Sequence, residues 1–175
     1  MDNKISVQTE PDQSIPSQID DLHKKNAENL GILFNNIVEL SKDVKRINFE
    51  TKGDARGSLV AIEGNKNIPF DIKRVYYIFD TLSGVVRGKH AHKNLKQILI
   101  CTRGSCKVLI ESASEKRIEE LNDPSVGLYI EDLVWHEMYD FSPDCVLMVL
   151  ADKHYNEEDY IRDYNQFEKY KNKLD

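Results

Sequence analysis

The sequence predicts an all-β fold, an antiparallel sandwich or closed barrel, behind an N-terminal helical extension. Three observations point there. Short β-rich runs recur from position 58 onward, separated by glycine, proline, asparagine and serine, with no helix between them. Ahead of them, apolar residues recur at alternating steps of three and four. The first sixteen residues are polar, contain Pro11 and Pro16, and have no period.

These changes of pattern divide the chain into a flexible tail at 1–16, an amphipathic helical extension at 17–45 and a β domain at 46–175. Ser17 and Asp20 approximate a capping box. Leu30, Leu33, Ile37, Leu40, Val44 and Ile47 form the helical seam, which upstream falls on Asn26 and His23. Such a seam serves equally for packing on its own barrel or for pairing with a second subunit. Residues 53–57 make a turn, 58–62 a strand, and 64–67 a second turn. Strands are expected at 73–80, 97–102, 107–111, 127–130, 135–141 and 145–151. In the tail, 157–173, charges alternate with Tyr160, Tyr164, Phe167 and Tyr170, the pattern of a turn or short helix covering one end of the barrel.

Composition narrows the function classes. The formal net charge of −6 argues against a general nucleic-acid binder, although a local basic pocket remains compatible with it. No apolar run is long enough to span a membrane, and the N-terminus lacks the basic start and apolar core of a signal peptide, so a cytoplasmic protein is expected. Cys101, Cys106 and Cys145 make neither a disulfide framework nor a CxxC pair and read as buried free thiols.

The stretch from Gly84 to Gly104 carries the chemistry. It holds His90-Ala91-His92, then Gln97, with a glycine at either end. Residues two apart on a strand share a face, so His90 and His92 point the same way and Ala91 points to the other side. This framed spacing resembles the first signature of the cupin superfamily, in which two histidines and a glutamate bind a metal. The resemblance implies an RmlC-like jelly-roll barrel, with His136 as the histidine of the second signature. Gln97 stands at the glutamate position. A neutral amide adds no charge to offset a divalent ion, so the metal set is weakened.

The runs RGSLVAIE, IPFDIKRVYYIFD, VVRGKHAHKNLKQ, GSCKVLI, GLYIEDLVWHEMYDFSPDCVLMVLA and DYIRDYNQF, in that order, resemble the WxcM-like sugar 3,4-ketoisomerase family. That resemblance implies a homodimeric barrel that works without metal and without cofactor. Its substrate would be dTDP-4-dehydro-6-deoxyglucose, and its product the 3-keto precursor of a 3-amino- or 3-acetamido-3,6-dideoxyhexose for surface polysaccharide. It carries over Arg87, His90 and His92, and the tyrosine pair Tyr76 and Tyr77. Two departures stand out: Lys89 replaces an aromatic residue before the first histidine, and Glu131-Asp132 replace prolines.

Moving a ketone from C4 to C3 requires a proton to leave C3 and another to return at C4, a task for imidazole. His92 is the candidate for the carbon proton, His90 for the oxygen side with Tyr77, and Arg87 for the enediolate charge. Arg74, Arg87 and Arg103 are candidates for the diphosphate. Trp135, Tyr129 and Tyr139 are candidates for the thymine face. Tyr76, Gln97 and His136 complete the substrate-binding set. Two other readings compete: a metal-dependent cupin oxygenase or isomerase using His90, His92, Gln97 and His136, and a non-catalytic sugar-nucleotide-binding module. The C4 configuration of the product is not written in the spacing.

Overall fold

Strand alternation sets the architecture. The computed structural model describes residues 43–172 together with Lys25. The chain divides into two units, 1–41 and 42–175. The expected tail and nearly all of the helical extension lie outside the described residues.

The strands are β1 (Val44–Asn48), β2 (Thr51–Asp54), β3 (Gly57–Val60), β4 (Arg74–Ile78), β5 (Arg87–His92), β6 (Gln97–Arg103), β7 (Cys106–Glu111), β8 (Lys116–Leu121), β9 (Val126–Ile130), β10 (Trp135–Tyr139), β11 (Val146–Ala151) and β12 (Tyr160–Ile161). One helix, α1 (Tyr164–Lys171), follows. One five-stranded sheet has the order β1-β9-β6-β11-β4, the other β12-β5-β10-β7-β8, and β2 and β3 form a separate hairpin. Every strand pair is antiparallel, and most neighbours are far apart in sequence. This is the predicted jelly roll.

Leu99, Cys101, Leu128, Ile130, Leu147 and Val149 of the first sheet meet Val108, Ile110 and Met138 of the second in the barrel core. On the outer face of the first sheet, Phe49, Ile68 and Phe70 cover Ile98, Ile100, Tyr129 and Leu150. Residues 98–101 of β6 are therefore buried on both faces, which explains their continuous apolar run. On the outer face of the second sheet, Phe167 of α1 packs on Ala91, Trp135 and Ile161. Asp163 caps α1 by accepting from the Gln166 N–H, and buried Glu111 holds the helix through Tyr164 and Lys171. The C-terminal segment thus covers a sheet face, where the sequence pointed to a barrel end. No helix among the described residues is long and apolar enough to cross a membrane.

Val44 and Ile47, which continue the helical seam in the sequence, sit in β1, where Val44 pairs with Ile130 and is 2% exposed. The barrel therefore includes Val44, which the sequence pattern places in the extension, and Ile47 of the same seam. A chain starting at Lys42 is expected to keep the barrel's stability. One starting at Arg46 should lose about 1.5–3 kcal/mol from the lost burial of Val44. Urea unfolding of the two truncations checks this, and equal midpoints would contradict it.

Candidate active site

A β-bulge creates the site. β10 pairs His136 with His90 and Glu137 with Gly88, so Lys89 is the extra residue on β5. Gly88 and Lys89 both take positive φ, +81° and +55°. At Gly88 a side chain would put its Cβ 2.7 Å from the His136 carbonyl oxygen, so only glycine fits there. On a regular strand Arg87 and His90, three apart, would face opposite sides. The bulge brings both to one cavity, while His92 keeps the parity of His90.

His90, His92 and His136 form one cluster. The ring centroids of His90 and His92 lie 4.8 Å apart, those of His90 and His136 4.5 Å, and Tyr160 contacts His92 at 4.4 Å. Their hydrogen bonds set distinct roles. His92 Nδ1 lies 2.8 Å from Asp159 Oδ2, so Nδ1 carries the proton and donates it. His92 Nε2 is then the basic nitrogen, buried and without a partner. His136 Nδ1 donates to the Val134 carbonyl at 3.2 Å. Its Nε2 accepts from the Gln97 amide at 3.2 Å, and the Gln97 carbonyl oxygen accepts from the Tyr76 hydroxyl at 3.4 Å. His136 therefore spends both nitrogens inside the protein.

Burial disfavours charge on all three rings. It drives His136 well below the ordinary histidine range, with His90 and His92 adding to the effect. His92 is lowered to about 4, by burial first and by His90 second, against the pull of Asp159. His90 is lowered by burial, while the Gly88 backbone opposes this. Burial also pushes Tyr76 up to about 12, which keeps it a proton-bearing phenol. The lowered pKa of His92 ties stability to pH. Above pH ~6.5 folded and unfolded forms are both neutral and its contribution is whole; as pH falls toward 4 the unfolded chain protonates first and stability is lost.

A cavity of about 430 Å³ opens beside His90, lined by Arg74, Tyr76, Arg87, Tyr155, Tyr160 and Arg162 among others. Arg74 stacks on Tyr76 and Tyr155, and its buried Nε has no partner. Arg162 stacks on Tyr160 at 4.3 Å and pairs with Glu157. His92 lies one ring deeper, 2% exposed, behind His90 and Tyr160.

Of the residues singled out in the sequence, Arg74, Tyr76, Arg87, His90, His92, Gln97 and His136 come together here. Five others lie elsewhere. Tyr77, the neighbour of Tyr76, faces outward and is 64% exposed. Tyr129 lies on the outer face of the first sheet, stacked on Phe70 and bonded to Glu131. Trp135 faces away from His136 and packs on Tyr164 and Phe167. Tyr139 shares that outer side by strand alternation. Arg103 is exposed beyond the Cys101 end of β6 and pairs with Asp144. Asp159, Tyr155, Tyr160 and Arg162 belong to the site and were not singled out for it.

The three histidine ligand atoms lie within 4.8 Å of one another, a spacing that could bracket a metal ion. The donor chemistry does not fit one. His136 Nε2 already accepts from Gln97, and no carboxylate stands at position 97 to balance a divalent charge.

A family model described as FdtA: WxcM-like, C-terminal matches residues 42–172. A TDP-4-oxo-6-deoxy-α-D-glucose-3,4-oxoisomerase from Aneurinibacillus thermoaerophilus is 59% identical over 126 residues, 72% of this chain and 91% of that protein. A solved structure of the 3,4-ketoisomerase QdtA from Thermoanaerobacterium thermosaccharolyticum, a histidine-to-asparagine variant in complex with TDP-4-keto-6-deoxyglucose, superposes with TM-score 0.73. It is 50% identical, covering 75% of this chain and 95% of that one. The RmlC epimerase of Mycobacterium tuberculosis, at 16% identity and TM-score 0.59 over 69% of this chain and 68% of that one, shares the fold alone.

Gln97→Glu tests the charge argument. The carboxylate should tighten divalent-metal binding by roughly tenfold or more and lower turnover, since the Gln97 amide no longer holds His136. Isothermal titration with zinc or manganese reads the change, and equal binding by both proteins would refute it.

Proposed function

This chain belongs to the FdtA family of WxcM-like proteins, and we propose that it is a dTDP-4-dehydro-6-deoxyglucose 3,4-ketoisomerase acting by metal-independent proton transfer. The observation that carries this reading is the neutral His92, with Nδ1–H held by Asp159 and Nε2 left free beneath an arginine-lined cavity.

The diphosphate lies against Arg74, Arg87 and Arg162, whose guanidinium groups match its oxygens. The thymine ring takes Tyr155, 62% exposed at the cavity and in ring contact with Tyr160. His92 Nε2 removes the C3 proton, and the pair of electrons moves toward C4 to give an enediolate. Arg87 steadies the developing oxygen charge. His90, which lines the cavity, carries the hydroxyl proton from O3 to O4. Return of the carbon proton at C4 completes the isomer, with no net gain or loss of atoms or electrons. Dehydration of the site keeps the histidines neutral and ready to accept. The QdtA complex supports separate groups for binding and for proton transfer, since a histidine exchange there leaves a protein that holds TDP-4-keto-6-deoxyglucose.

We place the working form in the cytoplasm as a homodimer that binds neither nucleic acid nor membrane. Val75, Tyr77 and Phe79 present an exposed apolar strip along edge strand β4, 54%, 64% and 54% exposed, which a second copy would cover. The product would be the precursor of a 3-amino- or 3-acetamido-3,6-dideoxyhexose.

His92→Asn should cut turnover by about 10²–10⁴ while leaving dTDP-sugar binding within a few-fold, because a general base acts on the transition state. Deuterium wash-in at C3, followed by NMR in deuterated water, should fall in parallel. An unchanged exchange rate would move the carbon base to His90. Loss of activity together with a stoichiometric metal on dialysis against EDTA would overturn the metal-independent mechanism.

A further inference from the structure

The sequence reads the three cysteines as isolated buried thiols, yet the fold brings them together. Cys101 ends the buried part of β6, Cys106 opens β7, and Cys145 directly precedes β11. Their sulfurs all lie within 4.8 Å of one another, and those of Cys101 and Cys145 are 3.6 Å apart. All three side chains are buried in the barrel core with Leu99, Val108 and Leu147. The cluster is separate from the histidines: Cys101 lies four residues along β6 from Gln97, about 13 Å at strand rise.

We propose that Cys101, Cys106 and Cys145 form a three-thiol site for a trivalent thiophilic ion of the arsenite class. Geometry and charge both select it. With bonds to sulfur of about 2.3 Å, sulfurs sharing one ion lie at most about 4.6 Å apart, so this trio needs little adjustment. The surroundings are apolar, and a buried net charge there is costly. Zinc on three thiolates would keep one negative charge and lack a fourth donor; a monovalent copper ion would keep two. A trivalent centre on three thiolates is neutral and needs no fourth ligand. The step balances without an oxidant: one As(OH)₃ and three thiols give As(S-Cys)₃ and three waters. Three S–H and three As–O bonds break, three As–S bonds form, and each thiol proton leaves with a hydroxide.

The cover is thin. The turn at 103–105 rests on the loop at 142–145 through the Ser142 N–H to Ser105 carbonyl bond, 2.8 Å, and the Ser105 N–H to Ser142 Oγ bond, 2.9 Å. Gly104, at φ +68°, approaches so closely that a Cβ would lie 2.9 Å from Cys145 Cα. Entry of a small neutral hydroxide requires this turn to open.

The test is titration of the reduced full-length protein with sodium arsenite. One arsenic per chain is expected by mass spectrometry, and in urea that lets iodoacetamide label the arsenic-free protein all three cysteines should be protected together in a peptide map. The melting midpoint should rise by roughly 5–15 °C at about a hundredfold excess over Kd. Cys145→Ala should weaken binding by about a hundredfold, because the third bond forms intramolecularly. Absence of retained arsenic, protection of fewer than three cysteines, or equal binding by Cys145→Ala would each overturn the proposal. Tighter binding of cadmium than of arsenite would overturn its charge argument. Should the alanine variant fail to fold, the wild-type peptide map decides.

Discussion

The hydrogen bond between His92 Nδ1 and Asp159 Oδ2 joins the C-terminal segment to the strand that bears the histidines. The other Asp159 oxygen accepts from the Asn94 N–H at 2.8 Å, and its carbonyl accepts from the Lys93 N–H at 2.8 Å. β12 then pairs Tyr160 with His92 and Ile161 with Ala91. One carboxylate thus fixes the His92 tautomer and secures the turn after β5. It also sits next to β12, whose Tyr160 lines the cavity together with Arg162 just beyond the strand. Ile161 and Phe167 close the opposite side of the same strand over Ala91 and Trp135. Structural closure and chemical readiness therefore depend on the same few residues.

The bulge at Lys89 is the second constraint. Two consecutive residues in left-handed backbone are unfavourable for anything but glycine, and the second of them is a lysine. The surrounding ladder holds that conformation because it presents Arg87 and His90 to the same space. Net charge is negative for the chain, but the bulge, β4 and the C-terminal segment gather Arg87, Arg74 and Arg162 around one cavity. An acidic protein can receive a doubly charged diphosphate in this way, since local placement and not total charge sets the potential in a cleft.

The strand runs made the β class legible, and two-residue parity placed His90 and His92 together with Ala91 behind them. Alternation also separates Tyr76 from Tyr77 and His136 from Trp135, but it does not say which face is the cavity; Ala91, packed under Trp135, is what fixes the side. Tyr129 illustrates the difficulty: β9 is apolar on both faces, so its sequence has no polar alternation to read. Arg87 reaches the site against simple parity, and the glycine before a charged residue inside a β-run was the available sign of a bulge. Asp159 lies 67 residues from His92, in a segment whose charge pattern reads as ordinary surface. Val44 and Ile47 fit a heptad by spacing, yet pairing with β9 overrides that local pattern.

The protonation state of His92 tests the account most directly. Nitrogen-15 NMR of histidine-labelled protein distinguishes protonated from unprotonated ring nitrogens at each position. At pH 7 His92 should be neutral, with hydrogen on Nδ1 and a bare Nε2. That state should persist through pH 5, with protonation only toward about 4, where burial has placed its pKa. Hydrogen on Nε2, or an imidazolium at pH 7, would contradict it.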